Sequence, residues 1–190
     1  EKPDAGSIYV NDEPVPQTEL EPFRRKIGYA VQGAGLFPHM SAKENVTLVA
    51  GLEGWSEQAI DQRFDTLLAA MELPEDVASR LPRELSGGQQ QRLGLCRALM
   101  LEPELLLLDE PFSAVDPITR LGLYERFELV QKQNQVSTLL VTHDLREAKR
   151  LADFLLILDK GALVQAGTPE YVLQNPATAY VERLIESQLA

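Results

Sequence analysis

The segment Leu105-Leu106-Leu107-Leu108-Asp109-Glu110-Pro111 constrains the fold more than any other stretch of the sequence. An all-apolar run without polar alternation suits a strand of a parallel sheet covered on both faces. Packing alone gives no reason for such a strand to end in two adjacent carboxylates. Side chains alternate along a strand, so Asp109 and Glu110 should diverge as the chain leaves the sheet. One can hold a hard cation while the other faces a water. Ligands of open α/β sheets lie at the carboxyl ends of the strands, where this pair falls. The plainer alternative is a solvated loop after a core strand.

The surrounding pattern supports a sheet with crossovers. Arg120 to Gln133 is amphipathic, Val136 to Thr142 is β-branched and apolar, and Leu145 to Leu151 reads as helix. Phe154 to Leu158, the Asp159-Lys160-Gly161 turn and Ala162 to Ala166 read as a terminal hairpin. Thr168 then caps a helix with Pro169 at its first position. Earlier, the first third reads as strands and turns. Gly6 to Val10 and Ile27 to Val31 are short β-type runs separated by the stretch Asn11 to Pro16. Between Ser56 and Leu73 the apolar residues Ile60, Phe64, Leu67, Leu68 and Met71 share one helical face, with Ser56 as cap and Pro74 as stop. No repeat, low-complexity tract or Gly/Ser linker interrupts the chain. The expected class is α/β, with a helical insert between about Leu36 and Ala98.

Composition narrows the function classes. With 190 residues the chain suggests one domain, or one domain carrying an inserted subdomain. Lys and Arg number 18 against 29 Asp and Glu, a net charge of −11. Such an acidic chain is a poor candidate for coating nucleic acid or for docking on anionic lipid through a basic patch. No apolar run reaches the ~20 residues needed to cross a bilayer. The start, Glu1, Lys2, Pro3 and Asp4, lacks the apolar stretch of a signal peptide. The single cysteine, Cys96, can form no internal disulfide, fits a reducing compartment and reads as a small buried apolar residue.

A second chemical signal is Leu85-Ser86-Gly87-Gly88-Gln89-Gln90-Gln91-Arg92, followed by the helical run Leu93 to Met100. Ser and two glycines at a helix start leave backbone N–H groups available at the positive end of the dipole, a ready anion site. The alternative is an ordinary Ser-Gly cap.

Together these segments resemble the nucleotide-binding domain of ATP-binding cassette (ABC) transporters. Leu85 to Arg92 is similar to the family's signature motif, and Leu105 to Pro111 to its Walker B segment with the catalytic glutamate. Ser113-Ala114-Val115-Asp116 resembles the D-loop, with Val115 where Leu is commoner. Val141-Thr142-His143-Asp144 resembles the switch-histidine segment, and Tyr29-Ala30-Val31-Gln32 the Q-loop strand. These five motifs occur in the family's order over residues of about 1 to 175. The resemblance implies a P-loop NTPase-like α/β fold: an ATPase core at about 1–35 and 98–190, with a helical signature subdomain at about 36–97.

It also implies roles. Asp109 would hold Mg²⁺, Glu110 would orient or deprotonate the attacking water, and His143 would contact the γ-phosphate. Gln32 would reach metal and water and link the site to a transmembrane partner. Ser86, Gly87, Gly88 and Gln89 would bind the ATP of a second copy, and Asp116 would communicate across that homodimer. Implied partners are transmembrane permease subunits and, through them, a periplasmic or extracellular substrate-binding protein, with no nucleic acid. The implied location is the cytoplasmic face of the cell membrane.

Single residues carry plainer readings. A histidine such as His143 is, without its context, most often a hydrogen-bonded structural residue. His39 reads as a loop residue, Trp55 as packing, and Arg92 and Arg97 as partners for acids on the helix.

One part of the family pattern is absent. A phosphate-binding loop needs G-x-x-x-x-G-K-[ST], and no Gly-Lys pair occurs in the sequence. In the family that loop and its helix precede a segment similar to Pro3-Asp4-Ala5-Gly6-Ser7-Ile8, so a fragment lacking Walker A is expected. Such a fragment should be inactive alone and should expose sheet edge and apolar surface. Ile27 to His39, Gly54-Trp55 and Pro111 to Arg120 look similar to importers of quaternary-amine osmolytes such as glycine betaine and choline. Two alternatives stay open: a non-transport ABC ATPase, and a nucleotide-free interaction module.

Overall fold

Leu105–Asp109 is the middle strand of a three-stranded parallel sheet. The structure, a computed structural model, describes residues 3–113, 115–134 and 136–189. Glu1 and Lys2 of the N-terminal reading, and Ala114 of the Ser113–Asp116 stretch, lie outside the described residues. In chain order the elements are β1 (Tyr9–Val10), β2 (Glu13–Pro14), α1 (Leu20–Arg25), β3 (Ile27–Ala30), α2 (Ala42–Leu52) and α3 (Glu57–Ala70). Two 3₁₀ turns follow, at Glu75–Ser79 and Pro82–Glu84, then α4 (Gly87–Leu99), β4 (Leu105–Asp109) and α5 (Pro117–Asn134). The chain continues as β5 (Ser137–Val141), α6 (Leu145–Leu151), β6 (Leu155–Asp159), β7 (Ala162–Gly167), α7 (Pro169–Gln174) and α8 (Ala179–Leu189).

The sheet order is β3-β4-β5, with Ala30 opposite Leu108 and Leu108 opposite Leu140. Leu106 and Leu108 are fully buried in a cluster with Leu93, Leu95 and Leu99 of α4, Phe112, and Tyr124 and Phe127 of α5. Phe112 meets Tyr124 and Phe127 edge-on at centroid distances of 5.1 and 5.6 Å, the favoured geometry for aromatic pairs. Gly28 lets α4 approach β3. A Cβ there would stand 2.2 Å from the Ala98 carbonyl oxygen and 2.5 Å from Leu106 Cδ2, so only glycine fits.

Coverage of both sheet faces, expected from the apolar runs, is not what the structure shows. Tyr29, Leu139 and Val141 are 54%, 53% and 54% exposed. They alternate with the buried set, so helices α4 and α5 cover one face and the described chain leaves the other largely open. An apolar run reports that a strand can be buried on two sides, not that this stretch of chain supplies both covers.

Ser56 caps α3 as expected, its Oγ accepting from Ala59 N–H at 3.3 Å. The helix ends at Ala70, however, before Pro74. Glu72 has φ +50°, and this left-handed turn ends the helix without help from proline. The stretch before the insert holds a helix that the sequence did not suggest, α1, whereas α2 falls within the expected helical insert. Ser41 and Glu44 form a reciprocal capping box on α2. Trp55 packs against the main core, as read from the sequence.

The terminal hairpin is present as β6 and β7, with Asp159 paired to Ala162. Lys160 and Gly161 have φ of +48° and +78°, as a two-residue turn matched to strand twist requires. Val172 of α7, Val181, Leu184 and Ile185 of α8, and Leu145 of α6 form a second apolar cluster with this hairpin. Among the described residues no helix is long and apolar enough to cross a membrane.

Candidate active site

Because β3, β4 and β5 run parallel and in register, their carboxyl ends deliver three loops to one edge. Gln32 lies two residues past Ala30, Glu110 two past Leu108, and His143 two past Val141. The Glu110 N–H donates to the Val141 carbonyl at 2.9 Å, carrying the ladder beyond β4. Glu110 then turns with φ +46°. A positive φ on a non-glycine residue is strained and persists only where its surroundings hold it. Here the surroundings are visible. The Glu110 carbonyl accepts from Ser113 Oγ at 3.0 Å and Gln91 Nε2 at 3.4 Å, and Gln91 also donates to Ser113 Oγ at 3.1 Å.

That turn places the carboxylate between its neighbours. Gln32 Nε2 donates to Glu110 Oε2 at 3.1 Å, and His143 Nδ1 lies 2.9 Å from Glu110 Oε1. An ionised carboxylate only accepts, so Nδ1 carries the hydrogen and Nε2 is the ring nitrogen that faces away. The Glu110 side chain is 24% exposed and that of His143 is 73% exposed. A carboxylate oriented by two side chains, at a strand end open to solvent, is equipped to align a water and take its proton.

Asp109 is the last residue of β4 and half-buried, on the less covered face with Leu105 and Leu107. Among the described residues no three His, Cys, Asp or Glu side chains gather as a metal cage. Asp109 offers a single hard oxygen ligand, the type of donor Mg²⁺ takes in ones and twos beside water and phosphate.

Asp116 accepts from Thr119 N–H at 3.0 Å at the first turn of α5. Arg120 donates to the Val115 carbonyl at 2.8 Å and reaches Asp144 at 3.5 Å, joining this segment to the loop that carries His143. Asp144 in turn caps α6, accepting from Arg146 N–H at 2.9 Å.

Ser86 and Gln89 occupy each other. Ser86 Oγ accepts from Gln89 N–H at 3.2 Å and Gln89 Oε1 from Ser86 N–H at 2.9 Å, so the cap anticipated as the plainer reading is formed. The N–H groups of Gly87 and Gly88 still have no acceptor inside the helix. None of Ser86, Gly87, Gly88 and Gln89 is hydrogen-bonded to Gln32, Asp109, Glu110 or His143 among the described residues. The link between the two segments is Gln91, buried on α4 two residues beyond Gln89. It escaped the sequence reading, although its place inside the Leu85 to Arg92 run was a signal.

Arg92 and Arg97 do not pair with acids on the helix. Arg92 donates to the carbonyls of Met71 and Glu72, both at 3.1 Å, which α3 leaves open at its end. Arg97 donates to Ala34 and Gly35 at 2.8 and 2.9 Å, pinning the turn after Gln32. Burial lowers its pKa. His39 is an exposed loop residue with its ring centroid 6.2 Å from that of Phe37. Burial pushes the Cys96 thiol up to about 12, so it stays protonated and unreactive.

The family model described as ABC transporter matches residues 1–113 of the 190. The chain belongs to the ABC transporter family. Among ABC proteins, it is 47% identical over 184 residues to the choline transport ATP-binding protein OpuBA of Bacillus subtilis, covering 97% of this chain and 48% of that protein. It is 45% identical to the carnitine transport ATP-binding protein OpuCA of Listeria monocytogenes, covering 98% and 49%. It is 42% identical to the glycine betaine uptake system ATP-binding protein YehX of Escherichia coli, covering 95% and 58%. The chain thus spans about half the length of the curated relatives it matches. The ABC cassette fold is also shared with solved structures. The dimeric post-hydrolysis state of the ATP-binding cassette MJ0796, bound to ADP and Pi, matches with a TM-score of 0.81 at 30% identity, covering 89% of this chain and 75% of that one.

Proposed function

We propose that the protein carrying this chain hydrolyses ATP to drive an ABC importer of quaternary-amine osmolytes of the choline, carnitine and glycine betaine type. The observation that carries the hydrolytic reading is the Glu110 carboxylate, engaged by Gln32 on one oxygen and His143 on the other. The choline, carnitine and glycine betaine transport of the relatives carries the substrate class.

In this reading Glu110 aligns the attacking water and takes its proton, and His143 steadies Glu110 through Nδ1. When both ring nitrogens carry hydrogen, His143 also donates from Nε2 to the γ-phosphate. Phosphoryl transfer requires positioning and charge stabilisation more than covalent help from the protein. Mg²⁺ would be held by Asp109 and the side-chain oxygen of Gln32, and its charge would neutralise that of the phosphates. Ser86, Gly87, Gly88 and Gln89 serve the nucleotide of a second copy. Hydroxyl and backbone donors at the start of α4 suit a phosphate once the cap between Ser86 and Gln89 is shared with it. Asp116 works across the dimer. Residues 36–97 form the helical signature arm and the remainder the ATPase core. The partners are a second ATPase subunit, membrane permeases and a substrate-binding protein, which places the chain on the cytoplasmic face of the membrane.

These 190 residues contain no Gly-Lys pair, and by themselves they neither hold ATP tightly nor turn it over. Calorimetric titration of Mg-ATP into this chain, beside the complete protein, tests the point. Heat of binding only with the complete protein supports the reading; comparable affinity for both overturns it.

A further inference from the structure

Gln188, near the end of α8, lies outside every motif recognised in the sequence. Its side chain nevertheless reaches back 45 residues to the loop of His143. Gln188 Nε2 donates to the His143 carbonyl at 3.0 Å, and Gln188 Oε1 accepts from Leu145 N–H at 2.6 Å. The two partners fix which way the amide points, since one is an acceptor and the other a donor. Arg146 Nε adds a third bond, to the Gln188 carbonyl, at 2.8 Å. These bonds complete the start of α6: Asp144 takes the Arg146 and Glu147 N–H groups, and Gln188 takes that of Leu145, which the helix itself cannot satisfy.

The support behind Gln188 is apolar packing. Leu184, Ile185 and Leu189 of α8 pack with Leu145 and Ala148 of α6 in the second apolar cluster. The imidazole of His143, in contrast, is largely exposed. Its own packing therefore does little to set its place. The ring is held at Nδ1 by Glu110 and at its base by the backbone that Gln188 clamps.

We propose that Gln188 is a positioning residue for His143, acting through the backbone to hold Nδ1 at Glu110. The proposal rests on the hydrolytic reading of Glu110 and His143. Its test uses the complete protein in four forms: wild type, Gln188→Met, Gln188→Ala and Glu110→Gln. Steady-state ATP turnover is measured for each, with histidine side-chain NMR signals and the unfolding temperature. Methionine keeps the volume of the side chain and removes both bonds, whereas alanine removes them without the bulk.

Losing two hydrogen bonds to the loop should lower kcat by about tenfold. KM for ATP should stay within about twofold, because the binding contacts are elsewhere. In both Gln188 variants the His143 ring signals should move towards those seen when Glu110→Gln alters their partner, with the unfolding temperature little changed. Wild-type kcat and unmoved His143 signals would overturn the proposal. So would a lowered kcat with the ring signals in place, which would make Gln188 a merely structural contact. If Glu110→Gln turns over ATP as fast as wild type, the hydrolytic reading fails instead, and the NMR signals still decide the clamp.

Discussion

Glu110 and His143 stand 33 residues apart in the chain and 2.9 Å apart in space. The parallel register of β4 and β5 produces this contact, since each residue lies just past a strand end on the same edge of the sheet. If the imidazole steadies the carboxylate and meets the γ-phosphate, His143→Ala should lower kcat by about 100-fold while changing KM for ATP little. Turnover within twofold of wild type would show that His143 is the hydrogen-bonded structural residue its type most often is.

Glu147 makes the stability of the fold depend on pH. It is buried on α6, with Oε2 accepting from the Tyr124 hydroxyl at 3.0 Å. Burial raises its pKa above the usual 4.5, outweighing the hydrogen bonds from Tyr124 and Thr142; Asp144 adds to the rise and Arg120 opposes it. A carboxyl with a raised folded pKa binds its proton more tightly in the folded state. Its contribution is therefore most favourable below about 4.5 and is lost as the pH rises through the raised value. Glu147→Gln keeps an acceptor for Tyr124 and removes the titration. The variant's unfolding temperature should gain on wild type as the pH is raised from 4 to 7. A difference that stays constant with pH would contradict this account.

Asn45 is completely buried and binds the loop between β3 and α2. Its amide donates to the carbonyls of Phe37, Met40 and Ser41, and its oxygen accepts from Phe37 N–H at 2.7 Å. Asn45→Ala takes the side-chain partner from the Phe37 N–H and the Met40 carbonyl, both only partly buried. The Phe37 and Ser41 carbonyls keep backbone donors, so the substitution should cost about 2 kcal/mol. Urea denaturation measures it, and a loss below about 1 kcal/mol would mean that water replaces the side chain.

Gly28→Ala should cost about 2 kcal/mol or more, because the new Cβ meets the Ala98 backbone and cannot be relieved by rotating a side chain. Unchanged stability in the same denaturation assay would mean that α4 can move away from β3 freely.

The parts of the fold that could be read from sequence are those whose signal is local. Leu105 to Leu108 announced a buried strand, Ser56 a helix cap, and Lys160-Gly161 a hairpin turn. Gln32 and His143 stood out through their resemblance to the ABC motifs. Glu110 could be singled out because two adjacent carboxylates closing an apolar strand have little structural reason to be there. The supports of that trio could not. Gln91, Arg97, Arg120 and Gln188 are ordinary polar residues on helices, and their roles exist only once distant backbone atoms come within reach. Short α1 buries none of its residues and has no side-chain cap, so no apolar period or cap residue marked it. The open face at Tyr29, Leu139 and Val141 was likewise invisible, because alternation shows which residues share a face and not what lies above them.

The most direct test of the central claim is ATP turnover by the complete protein with Mg²⁺, wild type against Glu110→Gln. The account predicts that the variant still binds ATP and hydrolyses it at least about 100-fold more slowly. Equal turnover by the two forms would contradict it and remove Glu110 from the chemistry.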